Sequence, residues 1–239
     1  ERVDLIISID RSETLDVVKA AESFEWEHGK KAIRTFAERQ GLKKHILSCG
    51  DYLEKYEALF VLEDDLIVSP QFFRYGISCI EKYRNDGRIA GISLYSPQWN
   101  QNANFPFDAQ KSEFSVFFLQ CAQSWGQIWL KGQWEEFKNW YKENDDYFSG
   151  KEKDYVPHHL YTWGENSWLK YHIAYCLEKK KYFVCPYFSY SSTFTEKGEH
   201  IETQITRFHT SLMIEKEDTW RFPEISENGI RYDSFWENE

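Results

Sequence analysis

The chain has 239 residues, a net charge of −10 and 18% aromatic residues. This length suits one large α/β domain with a substantial core, and the excess of carboxylates argues against nucleic acid as a partner. A single nucleotide is compatible with the charge, because a bound metal ion would supply positive charge locally.

Apolar segments alternate between two periodicities along the chain. Runs of apolar, often β-branched residues predict strands at residues 3–9, 59–65, 89–94, 114–119 and 182–185. Helical spacing predicts helices at residues 12–24, after the polar loop of residues 40–45, at 70–84, and in the segments that carry Trp134–Tyr141 and Trp168–Tyr175. Ser12 is the predicted N-cap of the first helix. The alternation indicates one α/β domain over a mixed sheet, without repeats.

An acidic motif, Glu63-Asp64-Asp65, follows directly after the predicted strand that ends with Leu62. Ser69 and Pro70 then suit the N-cap and the first position of the next helix. Three adjacent carboxylates repel one another, and a divalent cation shared with a phosphate would compensate them. A solvated acidic turn is the alternative, but ligand sites in open α/β sheets lie at the carboxyl ends of strands.

The segment Val61–Leu66, with Phe72 and Phe73 shortly after it, resembles the signature of N-acetylglucosaminyltransferase I and its relatives. These are nucleotide-sugar-dependent glycosyltransferases. Four further segments resemble the family in the same order: Ile92–Tyr95, Ser124–Gln127, Trp163–Trp168 and Thr193–His200. The resemblance spans residues 3 to about 212, and it is closer to bacterial polysaccharide-assembly relatives than to the Golgi enzymes.

The resemblance implies the GT-A fold, a Rossmann-like mixed central sheet flanked by helices, as a single domain over residues 1–239. Residues 1–95 would form the half that binds the nucleotide sugar, and residues 96–239 the half that binds the acceptor. The family has one strand before the one that matches residues 3–9. That strand carries an Arg or Asn beside the uracil, so part of the base pocket is expected to be absent here.

For the donor, the resemblance implies that Asp65 holds Mn²⁺ or Mg²⁺, while Glu63 and Asp64 contact the sugar and the ribose. Asp10 matches the aspartate that reads the uracil, although it could instead cap the next turn. His200 would contact the diphosphate when its loop closes, unless it is an inert loop histidine.

Two basic residues, Lys44 and His45, lie in a polar loop, residues 40–45, that leads into a predicted helix. Together with Lys43 they could reach a phosphate of the donor from that loop. The alternative is a solvated basic turn.

For catalysis, Glu165 is the predicted general base, which takes a proton from the acceptor hydroxyl as that hydroxyl attacks the anomeric carbon. Its two flanking tryptophans are expected to desolvate it and raise its pKa. Asn166 could occupy the family's catalytic position instead, Asp154 is a second candidate for the base, and a helix-start glutamate is the structural alternative.

The acceptor is expected to stack on Trp125 and Trp163, next to Gly126, although aromatic residues more often belong to the core. The resemblance thus implies transfer of a sugar from a nucleotide sugar, with a UDP-sugar as the expected donor, to a hydroxyl of a carbohydrate or glycolipid. It also implies inversion and a place in surface polysaccharide biosynthesis. A non-catalytic sugar- or nucleotide-binding relative or companion subunit is the alternative. A metal-dependent phosphoesterase ranks last, since it needs several clustered His and Asp ligands. The sequence specifies neither the sugar nor the acceptor.

The five cysteines are odd in number and scattered, without a CxxC pair. This pattern predicts buried, reduced thiols and no zinc site, as in a cytoplasmic protein. Mean hydropathy is −0.67. No apolar stretch approaches the roughly 20 residues that span a bilayer, and no signal-peptide pattern is seen, so any membrane association is expected to be peripheral, at the inner face.

Overall fold

The structure, a computed structural model, describes residues 2–193, 207–217, 219–226 and 228–239. These residues divide into two compact units. The first unit comprises residues up to Tyr52 together with Glu165–Trp168, and the second comprises Leu53–Gly164 and the described residues from Leu169 onward. Each unit is described below by itself.

The first unit contains a parallel pair of strands, β1 (Leu5–Ile9) and β2 (Lys31–Thr35), and two helices, α1 (Asp16–Ser23) and α2 (Leu42–Cys49). Lys31 connects β2 to α1, because its ammonium group donates to the carbonyl oxygens of Ala21, Glu22 and Phe24. These carbonyls lie at the end of α1, where backbone acceptors lack helical partners. The charge of Lys31 thus stabilises the end of the helix.

The second unit contains most of the chain. Its strands are β3 (Ala58–Val61), β4 (Leu66–Val68), β5 (Ile89–Ser93), β6 (Trp99–Asn100), β7 (Phe105–Pro106), β8 (Val116–Leu119), β9 (Gln127–Leu130), β10 (Tyr182–Pro186), β11 (Ser191–Thr193) and β12 (Arg231–Tyr232). Its helices are α3 (Phe72–Tyr83), α4 (Lys131–Glu143), α5 (His159–Thr162) and α6 (Leu169–Glu178). A 3-10 helix, Gly50–Glu54, precedes β3.

In the described part of the chain, a six-stranded sheet has the order β12-β8-β10-β5-β9-β3. Strand β10 is parallel to β5, and β9 is antiparallel to both β3 and β5. Strands β3, β5 and β10 therefore end at the same edge of the sheet, which we call the acidic edge because Glu63-Asp64-Asp65 follows β3 there. The predicted α/β class, with a mixed central sheet flanked by helices, is confirmed.

The core of the second unit is rich in aromatic side chains. Tyr75 of α3 stacks on Tyr190 with ring centroids 4.2 Å apart, and Trp129 of β9 stacks on Trp134 of α4 at 3.8 Å. Burial of such large rings is a main source of stability. The predicted stripe of α6 is also buried, so much of the aromatic content is structural.

Two predicted helix starts are wrong. Helix α1 begins at Asp16, and the Ser12 hydroxyl accepts instead from the backbone N–H of Thr14 (3.2 Å). Helix α3 begins at Phe72, after a turn at Pro70, and buried Ser69 accepts from the Gln71 N–H while donating to the carbonyl of Met213. In both cases the serine organises a turn before the helix.

The five cysteines are free thiols, and four of them are buried, as predicted. Among the described residues, no helix combines the length and the apolar character that crossing a membrane requires.

Candidate functional site at the acidic edge

The acidic motif occupies the turn between β3 and β4, at the end of a well-paired strand. Val61, the last residue of β3, lies opposite Gln127 of β9, and Gln127 also lies opposite Ser93, the last residue of β5. The ends of three neighbouring strands are therefore aligned. This register fixes the backbone from which Glu63, Asp64 and Asp65 project.

The negative charges of the acidic motif are destabilised by burial and by one another. Burial, followed by the charges of Asp65 and Asp64, raises the pKa of Glu63 to about 7. Burial and the charge of Asp64 also raise the pKa of Asp65. The repulsion that the sequence predicts is therefore present, and a cation or a proton would relieve it.

Among the described residues, no group of three or more His, Cys, Asp or Glu side chains is arranged to hold a metal ion. The prediction for Asp65 does not require such a group, because one carboxylate would share the ion with the diphosphate of the donor. Hard carboxylate oxygens at this turn fit Mn²⁺ or Mg²⁺. The metal assignment stays a prediction.

Strand β11 adds a second polypeptide segment beside the acidic motif. It pairs with β4 in antiparallel register, so that Thr193 lies opposite Leu66, the residue after Asp65. The Thr193 carbonyl is 2.9 Å from Nδ1 of His209, and the Thr210 N–H donates to the Ser192 hydroxyl (3.1 Å). The predicted diphosphate contact, His200, lies outside the described residues.

Trp125 also lies at the acidic edge, just before β9. Its ring stacks on Phe208 with centroids 4.9 Å apart and packs against Tyr95 at 4.8 Å. Gly126 is buried at φ +90°, and a Cβ there would lie 2.9 Å from the hydroxyl oxygen of Ser191. Trp125 is half-buried and its contact with an acceptor stays a prediction, whereas Gly126 is required by the turn itself.

Arg207 lies close to this aromatic cluster, and the sequence gives no indication of that position. Its guanidinium lies 5.1 Å from the ring centre of Phe208 and 5.4 Å from that of Trp99, and it donates to Oδ1 of Asn104 (3.2 Å). Trp99 and Asn104 are about 100 residues away from Arg207 along the chain, and no local motif surrounds it, so the sequence offered no signal. Arg207 places an exposed positive charge beside Phe208, whose ring stacks on Trp125.

In the first unit, Asp10 organises the loop before α2. Its carboxylate accepts from the backbone N–H groups of Arg11 (2.8 Å), Gln40 (2.8 Å) and Gly41 (2.9 Å). Burial alone would raise the pKa of Asp10, but these donors and nearby His45 outweigh burial, and the pKa is lowered. The capping role weighed for Asp10 is thus present, while its contact with uracil stays a prediction.

Lys44 and His45 lie in the first turn of α2, and Lys44 is exposed. The His45 ring bonds to the hydroxyl of Ser8 through Nε2 (2.8 Å). Burial lowers the pKa of His45, as does the charge of Arg34, against the opposing effect of Asp10. This lowered pKa favours the neutral imidazole, so His45 would bring less positive charge to a phosphate than an unburied histidine.

Glu165 is exposed, in a turn before α6, so the expected desolvation by the flanking tryptophans is not found. It belongs to the first unit, whereas the acidic motif belongs to the second. Asp154 is exposed in the second unit. Trp163 packs edge-on against His159 at 5.5 Å, and its carbonyl accepts from Lys170, so it belongs to a different aromatic group from Trp125.

A comparison of the sequence with protein-family models found no match, and neither did a comparison with curated proteins. The functional assignment therefore depends on the residues themselves and on the resemblance described above.

The charge at the motif gives a prediction about stability. The pKa of Glu63 rises from an ordinary value of 4.5 to about 7 in the folded protein. The folded state thus holds its proton more tightly, and stability falls as pH rises from about 4.5 through 7. In EDTA, Glu63→Gln is expected to be more stable than the wild type at pH 8, by about 1–3 kcal/mol, and to differ little at pH 4.5.

Urea unfolding of both proteins at the two pH values measures this difference. Glu81→Gln, at an exposed position on α3, is the matched control and should show no such pH dependence. Equal stability of Glu63→Gln and the wild type at pH 8 would contradict the raised pKa.

Proposed function

We propose that the chain is a metal-dependent glycosyltransferase with a GT-A fold, which transfers a sugar from a UDP-sugar to a hydroxyl of a carbohydrate or glycolipid. The observation that carries the proposal is the acidic motif at the carboxyl end of β3, whose carboxylates repel one another. Its negative charge is partly buried, and the pKa of Glu63 is raised to about 7. Such a turn is suited to a divalent cation that arrives with a phosphate.

In this proposal, Asp65 holds Mn²⁺ or Mg²⁺ through a carboxylate oxygen. The ion, when bound, neutralises charge on the departing diphosphate as a Lewis acid. Glu63 and Asp64 orient the sugar and the ribose, and Asp10 with Lys44 and His45 contributes to nucleotide binding. Glu165 accepts the proton of the attacking hydroxyl, with Asp154 as the second candidate for this step.

The surroundings of the motif support an acceptor on the same edge. Trp125 offers a half-buried ring stacked on Phe208, and the exposed guanidinium of Arg207 lies 5.1 Å from the ring centre of Phe208. Aromatic faces bind sugar rings, and a cation beside them would favour an acceptor that carries an anionic group. The proposed setting is surface polysaccharide biosynthesis at the cytoplasmic side of a membrane.

A non-catalytic sugar- or nucleotide-binding protein is the second candidate. The exposure of Glu165 favours it, because a general base usually depends on a partly desolvated setting for its pKa. The two candidates agree on nucleotide binding and differ in turnover.

Incubation of the chain with a set of UDP-sugars and Mn²⁺, with and without oligosaccharide acceptors, separates them. A glycosyltransferase should release UDP, and release should increase with a suitable acceptor and stop in EDTA. Tight UDP binding with no release for any donor would favour the binding protein. Absence of both UDP binding and UDP release would contradict the proposed function.

A further inference from the structure

A concave site lies at the edge of the central sheet opposite the acidic edge. It is a cleft of about 400 Å³, a size within the usual range of small-ligand pockets. Gln120, directly after β8, and Asp233, directly after β12, line it. Strand β8 is antiparallel to β10, so this end of the sheet is the one away from the acidic motif.

Tyrosine side chains give the cleft a preformed wall. Tyr155 is 52% exposed, and its hydroxyl donates to Oε1 of Glu178 (3.0 Å). The hydroxyl of Tyr182 donates to a carboxylate oxygen of Glu239. These bonds hold the phenol groups in place while leaving ring surface toward the cleft, so a ligand need not order them.

The polar groups of the cleft are positioned in the same way. One oxygen of Asp233, Oδ1, accepts the backbone N–H groups of Phe235 (2.8 Å) and Glu237 (2.9 Å). Both backbone bonds thus use a single oxygen of the carboxylate. The carboxylate is fixed by the backbone and keeps acceptor capacity for a hydroxyl group.

Ser234 provides an independent sign of a ligand. It lines the cleft, is 2% exposed, and within the described residues its hydroxyl has no hydrogen-bond partner. Buried polar groups nearly always have partners, so this hydroxyl calls for one. The hydroxyl oxygen itself is shielded, so a ligand group would have to enter past the surface of the cleft to supply that partner.

We propose that this cleft binds a neutral saccharide. Aromatic faces receive the C–H faces of sugar rings, while carboxylate, amide and hydroxyl groups pair with sugar hydroxyls. Lys180 also lines the cleft and offsets part of the charge of Asp233 and Glu239. This mixture of signs disfavours a strongly charged ligand of either sign. The site goes beyond the proposed transfer reaction, since it needs neither donor nor metal.

Saturation-transfer NMR with the full chain tests the proposal, with maltotriose and chitotriose as probes at millimolar concentration. At least one trisaccharide should bind, and Tyr155→Ala should weaken its binding by about tenfold through loss of the ring. Tyr155→Phe keeps the ring and should retain binding, which assigns the loss in Tyr155→Ala to the ring and not to the hydroxyl group. Phe188→Ala, which removes another exposed ring (61% exposed), is the control outside the cleft.

Binding should persist in EDTA and in Asp65→Asn, which distinguishes the cleft from the proposed donor site. Absence of binding by both trisaccharides would overturn the proposal, as would equal loss in Tyr155→Ala and Phe188→Ala. Preferential binding of tetramethylammonium, a cation that aromatic and acidic groups also attract, would overturn it as well.

Discussion

Asp65→Asn is expected to weaken UDP binding in the presence of Mn²⁺ by at least about 30-fold, which corresponds to roughly 2 kcal/mol. The substitution preserves the shape of the side chain and removes the negative charge that would hold the ion. In EDTA the same substitution should leave UDP binding unchanged or slightly stronger, because a carboxylate repels the diphosphate when no cation lies between them. Isothermal titration calorimetry in the two conditions measures both effects.

The opposite behaviour in Mn²⁺ and in EDTA makes this test specific. A variant that merely unfolds would lose UDP binding in both conditions. Glu81→Gln removes one carboxylate from the exposed surface of α3 in the same unit and should behave like the wild type. If wild-type protein binds UDP equally tightly with Mn²⁺ and with EDTA, Asp65 is not a metal ligand.

The sequence predicted the second unit better than the first. Strands β5, β8 and β10 are fully buried or nearly so, and their apolar runs are visible without any knowledge of the partners. The prediction omits strand β2, Lys31–Thr35, because Lys-Ala-Ile-Arg-Thr forms neither an apolar run nor a regular apolar–polar alternation. Its Lys31 also bonds to carbonyl oxygens at the end of α1, which only the folded chain brings near. The spacing of apolar residues along the chain does not by itself reveal such a strand.

Strand β9 was missed for another reason. The sequence Gln127–Leu130 follows a turn at Gly126 and continues directly into α4, so no polar loop marks its end. Its central place between β3 and β5 depends on pairing with residues far away in the chain. The end of β3, which precedes the acidic motif, is aligned with Ser93 at the end of β5 only because both strands pair with β9. This alignment is a property of the tertiary structure.

In the candidate site, too, features formed by residues adjacent in sequence were predicted, and contacts between residues far apart in sequence were not. The acidic motif was found from sequence because the strand end and the three carboxylates are adjacent in the chain. Arg207 and Phe208 were missed because they meet Trp125 and Trp99 only in the folded chain. Ser69 was assigned as a helix cap from its local context, whereas its contact with Met213 is 144 residues distant in sequence.

Glu165→Gln is expected to leave UDP binding nearly intact and to lower sugar transfer by roughly 10²–10⁴-fold, the usual effect of losing a general base. The amide keeps the size and hydrogen-bonding capacity of the side chain but cannot accept the proton of the acceptor hydroxyl. If Glu165 only favours the nearby start of α6, the substitution would cost about 0.3–1 kcal/mol of stability and little rate. Initial rates of UDP release with acceptor, together with UDP titrations, measure the two effects.

Asp154→Asn is the matched comparison, because Asp154 is also exposed and is the second candidate for the base. Near-normal transfer by Glu165→Gln with no transfer by Asp154→Asn would move the base to Asp154. A pH–rate profile that loses its acidic limb in only one of the two variants would give the same assignment independently. If the wild type binds UDP with Mn²⁺ but shows no transfer to any acceptor, both carboxylates lose their catalytic assignment. Glu165 would then be an exposed residue without a catalytic role, in a protein that binds a nucleotide sugar and does not cleave it.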